Sequence, residues 1–562
     1  MNLLQQNLGF LGDRNVKFIR YGIYFVWTLG LIWSASFTEL LDDEAYYWVY
    51  SQNISLGYHD HPPFIAWSIF LGYAVFKSEL GVRLLMVLFH LITIRLLEHL
   101  ISPKFPLLFL ALVFSIPVFQ FSGFWAVPDT PFLFTLTLFL LAIKHFHKKS
   151  NAYNAIALGI AAAAVLYAKY HGALFVLFLF VFAHNMFKRP TFYLAIGLGF
   201  ILYLPHVIWL IQHDFPTLAY HFGYRNSKGY EWQQTATFIL GQFLLLGPIL
   251  AILLLKTSRN KWPNDPVDSI FLKTAVSVFI FLFLFTFFGH VEGNWSLGVF
   301  PFVLVALFKN WEEADSAHRI VFRGLWFSIP ILILGRLVLV YDVLPYRIPF
   351  LNQVYGQKEW VGQLDRIAKE RPVVFMNSYQ KASKFLFYSQ KPASTLSNAL
   401  GRRSQFDLLN RHETWFGSPV LLHVNWASKD LDSIQTKTGA TFYYTIDSTF
   451  WYFPKTKIVP LNLPQSWQAK QTKKIEISIE RSDRLGNKIP TSCNIAYHFL
   501  KNGQRISGNS FVGLWNPAQE KTTRSISILA PAIKGKYQLI FSIERKWMPL
   551  GINSKRHTIF VE

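Results

Sequence analysis

One cysteine, Cys493, stands in 562 residues, so no disulfide closes within the chain and a cysteine-based metal site is excluded. Charge is scarce as well. Asp, Glu, Lys and Arg make up 15% of the residues, where a soluble domain carries roughly 25%. The acidic side is the scarcer one, with 32 Asp and Glu against 54 Lys and Arg, a net charge of +22. No internal repeat and no low-complexity segment is visible. What is abundant is apolar: 52% hydrophobic residues and 17% aromatic ones. That combination excludes disorder, collagen and a coiled coil. A pI near 9.7 often signals nucleic acid, but this apolar load points first to a membrane.

The apolar residues fall in runs between Phe18 and Tyr341. A helix crosses ~30 Å of hydrocarbon with roughly 20 residues. Candidate spans are 18–38, 81–100, 105–125, 130–144, 154–168, 172–187, 191–211, 235–255, 269–288, 296–309 and 319–341, about eleven crossings. No small-residue cleavage site follows the first run, which therefore reads as a retained helix. The run 62–76 is short and opens on two prolines, which suits an interfacial or re-entrant helix. With that choice the basic residues segregate. Arg14, Lys17, Arg20, Lys104, Lys144, Lys148, Lys149, Lys188, Arg189, Lys256, Arg259, Lys261, Lys309, Arg319 and Arg323 share one side. Lys77, Lys169, Arg225 and Lys228 are left on the other. The N-terminus is thus expected in the cytoplasm, and the loops 39–80, 126–131, 212–234 and 289–295 outside.

Past Tyr341 the texture is that of a soluble protein. The expected division is a membrane domain over 1–345, a small α/β domain over 346–450 and a β-sandwich over 451–562. Eleven crossings place this whole tail outside. It also holds most of the charge. Residues 342–562 carry 31 Lys and Arg against 15 Asp and Glu, which is +16 of the +22.

Ionisable residues at a membrane are expensive and mark function by default. Here they collect in the outer loops as Asp43, Glu44, Asp60, Asp129, His221, His290 and Glu292. Such a set supplies a base, a metal site or both. Each residue also has an ordinary explanation. Acidic residues at a helix start are N-caps in many proteins, and His59 and His61 around Asp60 lack a third distant ligand. Spacing alone supports only a polar cavity on the outward face.

Two motifs narrow this. The run AspAspGluAlaTyrTyrTrp at 42–48 leads to GlyTyrHisAspHisProProPhe at 57–64, and Asp129 follows in a ProAspThrPro setting. Together they resemble the bacterial dolichyl-phosphate-mannose–protein mannosyltransferase-like family. That family belongs to the C-type glycosyltransferase superfamily and includes the lipid A aminoarabinose transferases. GlyHisValGluGlyAsnTrp at 289–295 is similar to a signature in one branch of it. The resemblance covers roughly 15–340. It implies a C-type glycosyltransferase fold with membrane-surface helices in the first outer loop. The implied reaction moves a sugar from a polyprenyl-phosphate donor to an acceptor outside a bacterial inner membrane.

The resemblance makes Asp43, with Glu44 beside it, the match for the first-loop acidic residue, and Asp129 the match for the second. His61, Arg83, Lys169, Arg225 and His290 are the candidates to stabilise the leaving phosphate. Tyr46, Tyr47, Glu292, Asn294 and Trp295 belong to the same motifs and are expected to line the substrate site. Asp60 and His221 match positions where some members hold a metal, so a divalent ion is a candidate cofactor. A glycolipid, a protein hydroxyl and an envelope polymer all remain open as acceptors, and nucleic acid is not expected. Two other classes compete: a transporter or lipid-sugar flippase, and a non-catalytic envelope assembly protein. Transporters are built from inverted repeats with binding at the midplane, whereas these carboxylates cluster toward one surface.

Overall fold

The computed structural model describes residues 13–219, 230–257, 262–344, 348–483, 490, 492–506, 511–548 and 551–562. It divides into two compact units, one reaching to Tyr355 and one spanning Gly356–Glu562. The first ends ten residues beyond the 345 expected from the sequence. The reason is apolar packing, since Leu351, Val354 and Tyr355 share a cluster with Leu31, Ala35, Val87 and Phe124.

The first unit is helical: α1 Asp13–Phe37, α2 Asp42–Ser51, α3 Phe64–Val75, α4 Glu79–Ile101, α5 Pro106–Ser115, α6 Pro117–Phe121, α7 Asp129–Lys148, α8 Ala152–Ala168, α9 Gly172–Phe182, α10 Pro190–Gln212, α11 Pro216–Ala219, α12 Trp232–Thr257, α13 Pro266–Phe285, α14 Val299–Glu312 and α15 Asp315–Val340. All eleven expected runs are helical, but they are not eleven equal spans. Among the described residues six helices (α4, α7, α10, α12, α13 and α15) are long and apolar enough to cross a bilayer. A seventh results if α1 and α2, bent by 85° at their junction, count as one. The 105–125 run breaks between α5 and α6, where Pro117 offers no backbone N–H to continue the ladder. The 172–187 run leaves the α-helix after Phe182 for the 3-10 turn His184–Lys188. Helix α3 has 12 residues, a rise of about 18 Å, well short of the hydrocarbon thickness.

Exposure identifies the solvent of this unit. Helix α10 is apolar along most of its length, yet only a small share of it is buried. Phe200, Ile201 and Ile211 point outward from it, as do Leu244, Phe288 and Trp326 from other segments. Apolar residues on that scale facing outward need hydrocarbon around them. This is a multi-pass membrane unit. Inside it, Phe109, Phe132, Leu136, Phe271, Phe308 and Trp311 belong to one continuous core. Helices α8 and α10 meet at Gly159, where a Cβ would lie 2.6 Å from the Ala195 carbonyl oxygen, the close approach that small residues permit in membranes.

The second unit opens on helix α16 (Gln357–Ala368). A five-stranded sheet of order β2-β1-β3-β5-β4 follows, built from β1 Val373–Met376, β2 Ala393–Leu396, β3 Val420–Val424, β4 Asp432–Gln435 and β5 Thr441–Asp447. Strand β1 is parallel to β2 and β3, with α17 (Tyr379–Ser389) connecting β1 to β2. From Lys457 onward the chain is all β, a six-stranded sheet and a three-stranded sheet. The regions expected as separate α/β and β-sandwich domains share one core: Val374, Leu422 and Val424 cluster with Trp467, Ile477, Trp515 and Phe541. The sheet face turned away from Phe385 is thereby covered. Cys493 is buried in that core, and burial pushes its thiol up to about 11, so it is inert.

Two buried histidines give this unit a pH dependence. Burial lowers His412 to about 4 and His423 to about 3. Glu413 and Lys455 are the charged neighbours of His412, and Lys381 faces His423. Among the described residues neither ring nitrogen of His412 has a hydrogen-bond partner. Folded-state values below the ordinary ~6.5 of histidine mean stability that is complete above that value and is lost as pH falls toward the folded ones. Going from pH 7 to pH 5 should cost about 2 kcal/mol for each histidine. The unfolding transition of the full protein assigned to this unit should shift down accordingly, and His412→Gln with His423→Gln should flatten the shift. A transition unmoved over that range would contradict the account.

Candidate active site

Helix α2 starts at Asp42, and its first turn holds Asp42, Asp43 and Glu44, where carboxylates suit unpaired backbone N–H groups. Successive helical residues turn by about 100°, so the neighbours diverge. Asp43 is exposed and Glu44 is fully buried. Glu44 accepts from Arg83 Nε at 2.7 Å and Nη2 at 2.5 Å, and from the Leu41 amide at 2.9 Å. Arg83 also donates to the carbonyls of Ala35, Thr38 and Glu39 at the end of α1 and just beyond it. Both groups were expected at the chemistry. Their geometry instead makes them a buried strut, because every oxygen and nitrogen of the fork is taken up within the protein.

That strut brings the two acidic loops together. The Ala126 amide donates to Glu44 Oε1 at 2.7 Å, three residues before Asp129. Asp129 opens α7 and is 6% exposed. Lys169, just past the end of α8, donates to its Oδ1 at 2.6 Å, and Asn294 Nδ2 donates to its Oδ2 at 3.2 Å. Asn294 lies in the 3-10 turn Gly293–Ser296. The next residue, Trp295, packs its ring on His171 with centroids 4.1 Å apart. His290 Nε2 meets Glu292 Oε1 at 3.2 Å, both partly exposed.

The rest of the first loop is an aromatic bed. Tyr46 and Tyr50 each donate to Asp60 Oδ2 at 3.0 Å, and His59 Nδ1 lies 3.1 Å from Oδ1. Tyr50 stacks on Tyr58 at 4.4 Å. Burial pushes the Tyr58 hydroxyl up to about 12, so it stays a neutral donor, here to the Asn53 carbonyl at 3.0 Å. His61 lies against Tyr47, ring centroids 5.3 Å apart.

The proposed metal ligands do not fit this arrangement well. Two tyrosine hydroxyls converge on Asp60 Oδ2 and His59 Nδ1 lies beside Oδ1, and His221 lies outside the described residues, as does Arg225. Among the described residues no three His, Cys, Asp or Glu side chains converge as a metal site.

The structure thus gathers Asp129, Lys169, Asn294 and Trp295 directly, and ties Asp43 to them through Glu44. Tyr46 and Asp60 form a second group, with Tyr47 and His61 beside it. The sequence reading missed His171, although it sits two residues past Lys169. It also missed Tyr50, whose place on the Tyr46 face of α2 follows from helical spacing, and Thr217, which donates to the His59 carbonyl at 2.8 Å.

These features define a class: a multi-pass helical membrane protein with two acidic helix starts joined at one end of its bundle and a β-rich tail. Residues 60–209 match the family model described as dolichyl-phosphate-mannose-protein mannosyltransferase, so the recognition drawn from the loop motifs is borne out. A curated relative is the lipid A galacturonosyltransferase RgtD of Rhizobium johnstonii, 26% identical over 227 residues, 38% of this chain and 48% of that protein. The chain thus spans about half the length of that relative. Among solved structures, ArnT from Cupriavidus metallidurans bound to undecaprenyl phosphate aligns with a TM-score of 0.56 at 13% identity, over 77% of this chain and 98% of that one. The fold is therefore ArnT-like. The archaeal oligosaccharyltransferase AglB from Archaeoglobus fulgidus, in complex with an inhibitory peptide and a dolichol-phosphate, aligns over 76% of this chain and 74% of that one at 11% identity. Its TM-score of 0.37 carries no weight.

Proposed function

We propose that the protein is a membrane glycosyltransferase that moves a sugar from a polyprenyl-phosphate donor onto a glycolipid of the lipid A type. The observation that carries this reading is the pair of acidic helix starts, Asp43 and Asp129, joined through the Glu44–Ala126 hydrogen bond in an ArnT-like fold. The RgtD likeness supports the choice of acceptor class. In this reading the bundle crosses the bacterial inner membrane eleven times, with the N-terminus in the cytoplasm and the tail outside. The segregation of basic residues supports that orientation.

Asp43 is the base. Its side chain is exposed, whereas Glu44 and Asp129 are buried. The acceptor hydroxyl loses its proton to Asp43 as its oxygen bonds to the anomeric carbon. The bond from that carbon to the phosphate oxygen breaks in the same displacement, which inverts the centre and releases polyprenyl phosphate. Lysine has three donors, and Asp129 takes one. Lys169 thus orients Asp129 toward a substrate hydroxyl and has protons left for the leaving phosphate. Asp129 is a positioning group in this scheme. No step passes through a metal.

The test is transfer by purified protein from undecaprenyl-phosphate-linked sugars to lipid A, with lipid profiling of a deletion strain beside it. Expected are a modified lipid A product, its absence from the deletion strain and activity that survives a chelator. Sugar appearing only on protein or polymer would overturn the acceptor. Movement of the intact lipid-linked sugar without transfer would favour a flippase.

A further inference from the structure

The buried amide of Gln242 plays no part in the loop motifs, yet it grips the turn that reaches Asp129. Gln242 lies in α12 and is 6% exposed. Its Oε1 accepts from Ser296 Oγ at 2.6 Å, and its Nε2 donates to the Gly293 carbonyl at 3.2 Å. It therefore holds both ends of the 3-10 turn Gly293–Ser296. Between those ends, Asn294 donates to Asp129 and Trp295 packs on His171.

The backbones are also close. A Cβ added at Gly241 would lie 3.8 Å from the Cα of Gly293, so the turn rests directly on the helix. Five residues beyond Gln242 the helix breaks at Gly247, whose φ is +68°, with Pro248 next. A Cβ at Gly247 would fall 2.6 Å from the Pro117 ring, so this break packs on the break between α5 and α6. The half of α12 that carries Gln242 therefore has a direction of its own.

We infer that Gln242 is a positioning residue for the Asp129 carboxylate, acting through the Gly293–Ser296 turn and Asn294. The inference rests on the proposed glycosyl transfer. A buried amide with donor and acceptor both satisfied locks one arrangement of the groups it joins. Losing it frees the turn to shift, and a misplacement of about 1 Å at a reacting group can cost as much as 100-fold in rate. The single link from Asn294 to Asp129 makes the effect conditional on Asn294.

A double-mutant cycle tests this in the full-length protein. Gln242→Leu keeps the volume and removes both hydrogen bonds to the turn, together with the one from Nε2 to the Phe238 carbonyl in its own helix. It should lower kcat about ten-fold, with KM for the lipid-linked donor within two-fold of wild type and the unfolding temperature preserved. Gln242→Leu combined with Asn294→Ala should be no slower than Asn294→Ala alone. Ser296→Ala removes one bond of the pair and the turn's own contact from Ser296 Oγ to the Gly293 carbonyl, should lower kcat with the same dependence on Asn294, and serves if Gln242→Leu does not fold. Multiplicative losses in the double variants, or wild-type kcat in folded Gln242→Leu and Ser296→Ala, would overturn the inference. If Asp129→Asn itself retains full transfer, the failure belongs to the functional reading and not to Gln242.

Discussion

Asp43→Asn is expected to reduce sugar transfer by about 10²–10⁴-fold, the range general base catalysis supplies, while leaving the protein folded. The side chain is exposed in the first turn of α2, so the amide occupies the same volume. What disappears is the ability to accept the proton of the attacking hydroxyl. In the proposed scheme Asp129 stays a positioning group, with Lys169 at 2.6 Å and Asn294 at 3.2 Å on its carboxylate. Transfer by purified protein at matched expression and unfolding temperature measures this. Donor binding should survive, since the base is needed for bond formation and not for docking. Full activity in folded Asp43→Asn would remove Asp43 from the chemistry and return the role to Asp129.

The second large effect falls on stability. Arg83→Met leaves the Glu44 carboxylate in a site with no exposure and without its cation, which should cost about 3–5 kcal/mol. Glu44→Gln should be similarly damaging, since it leaves the Arg83 guanidinium, also fully buried, without its counter-charge. The two changes together should cost less than their sum, because the double variant removes both charges and leaves neither stranded. Unfolding temperatures in detergent for the two single variants and the double one decide it. Additive losses would mean that the groups act separately. A second consequence is local. Glu44 also binds the Ala126 amide, so folded Glu44→Gln should lose transfer beyond its effect on unfolding temperature, as the loop before Asp129 slackens.

Much of this was legible in residues 42–64. The motif pointed to the family, and the family match over residues 60–209 agrees with it. The motif left open which of three adjacent carboxylates does chemistry. Asp42, Asp43 and Glu44 look alike in a string, and only the helix rotation and the arrival of Arg83 separate them. Lys169 illustrates the same limit. It was noted as a basic residue on the sparse side, but its partner lies 40 residues away. Gln242 carried no signal at all, since a glutamine in an apolar run has no spacing partner, and it meets Gly293 and Ser296 only through the packing of α12. The lengths of the apolar helices show a different limit. Runs of similar hydropathy became helices of 26 and 10 residues: Pro330 sits inside the longer helix, whereas Pro117 stands where α5 gives way to α6, and the apolar average of a run does not tell the two apart.

The scarcity of cysteine and of acidic charge keeps its meaning with the structure in view. By itself the sequence determined that this is a membrane protein with a basic tail, that no disulfide closes within the chain, and that acidic residues mark the motifs at 42–64 and 128–131. Composition and periodicity decide those properties, because each depends on residues near one another in the chain. Only the tertiary structure decided what surrounds each carboxylate: Asp43 exposed, Glu44 locked on Arg83, Asp60 under two tyrosines, Asp129 between Lys169 and Asn294. The physical reason is that a carboxylate takes its role from the donors and the solvent around it, and here most of those donors come from other helices and loops.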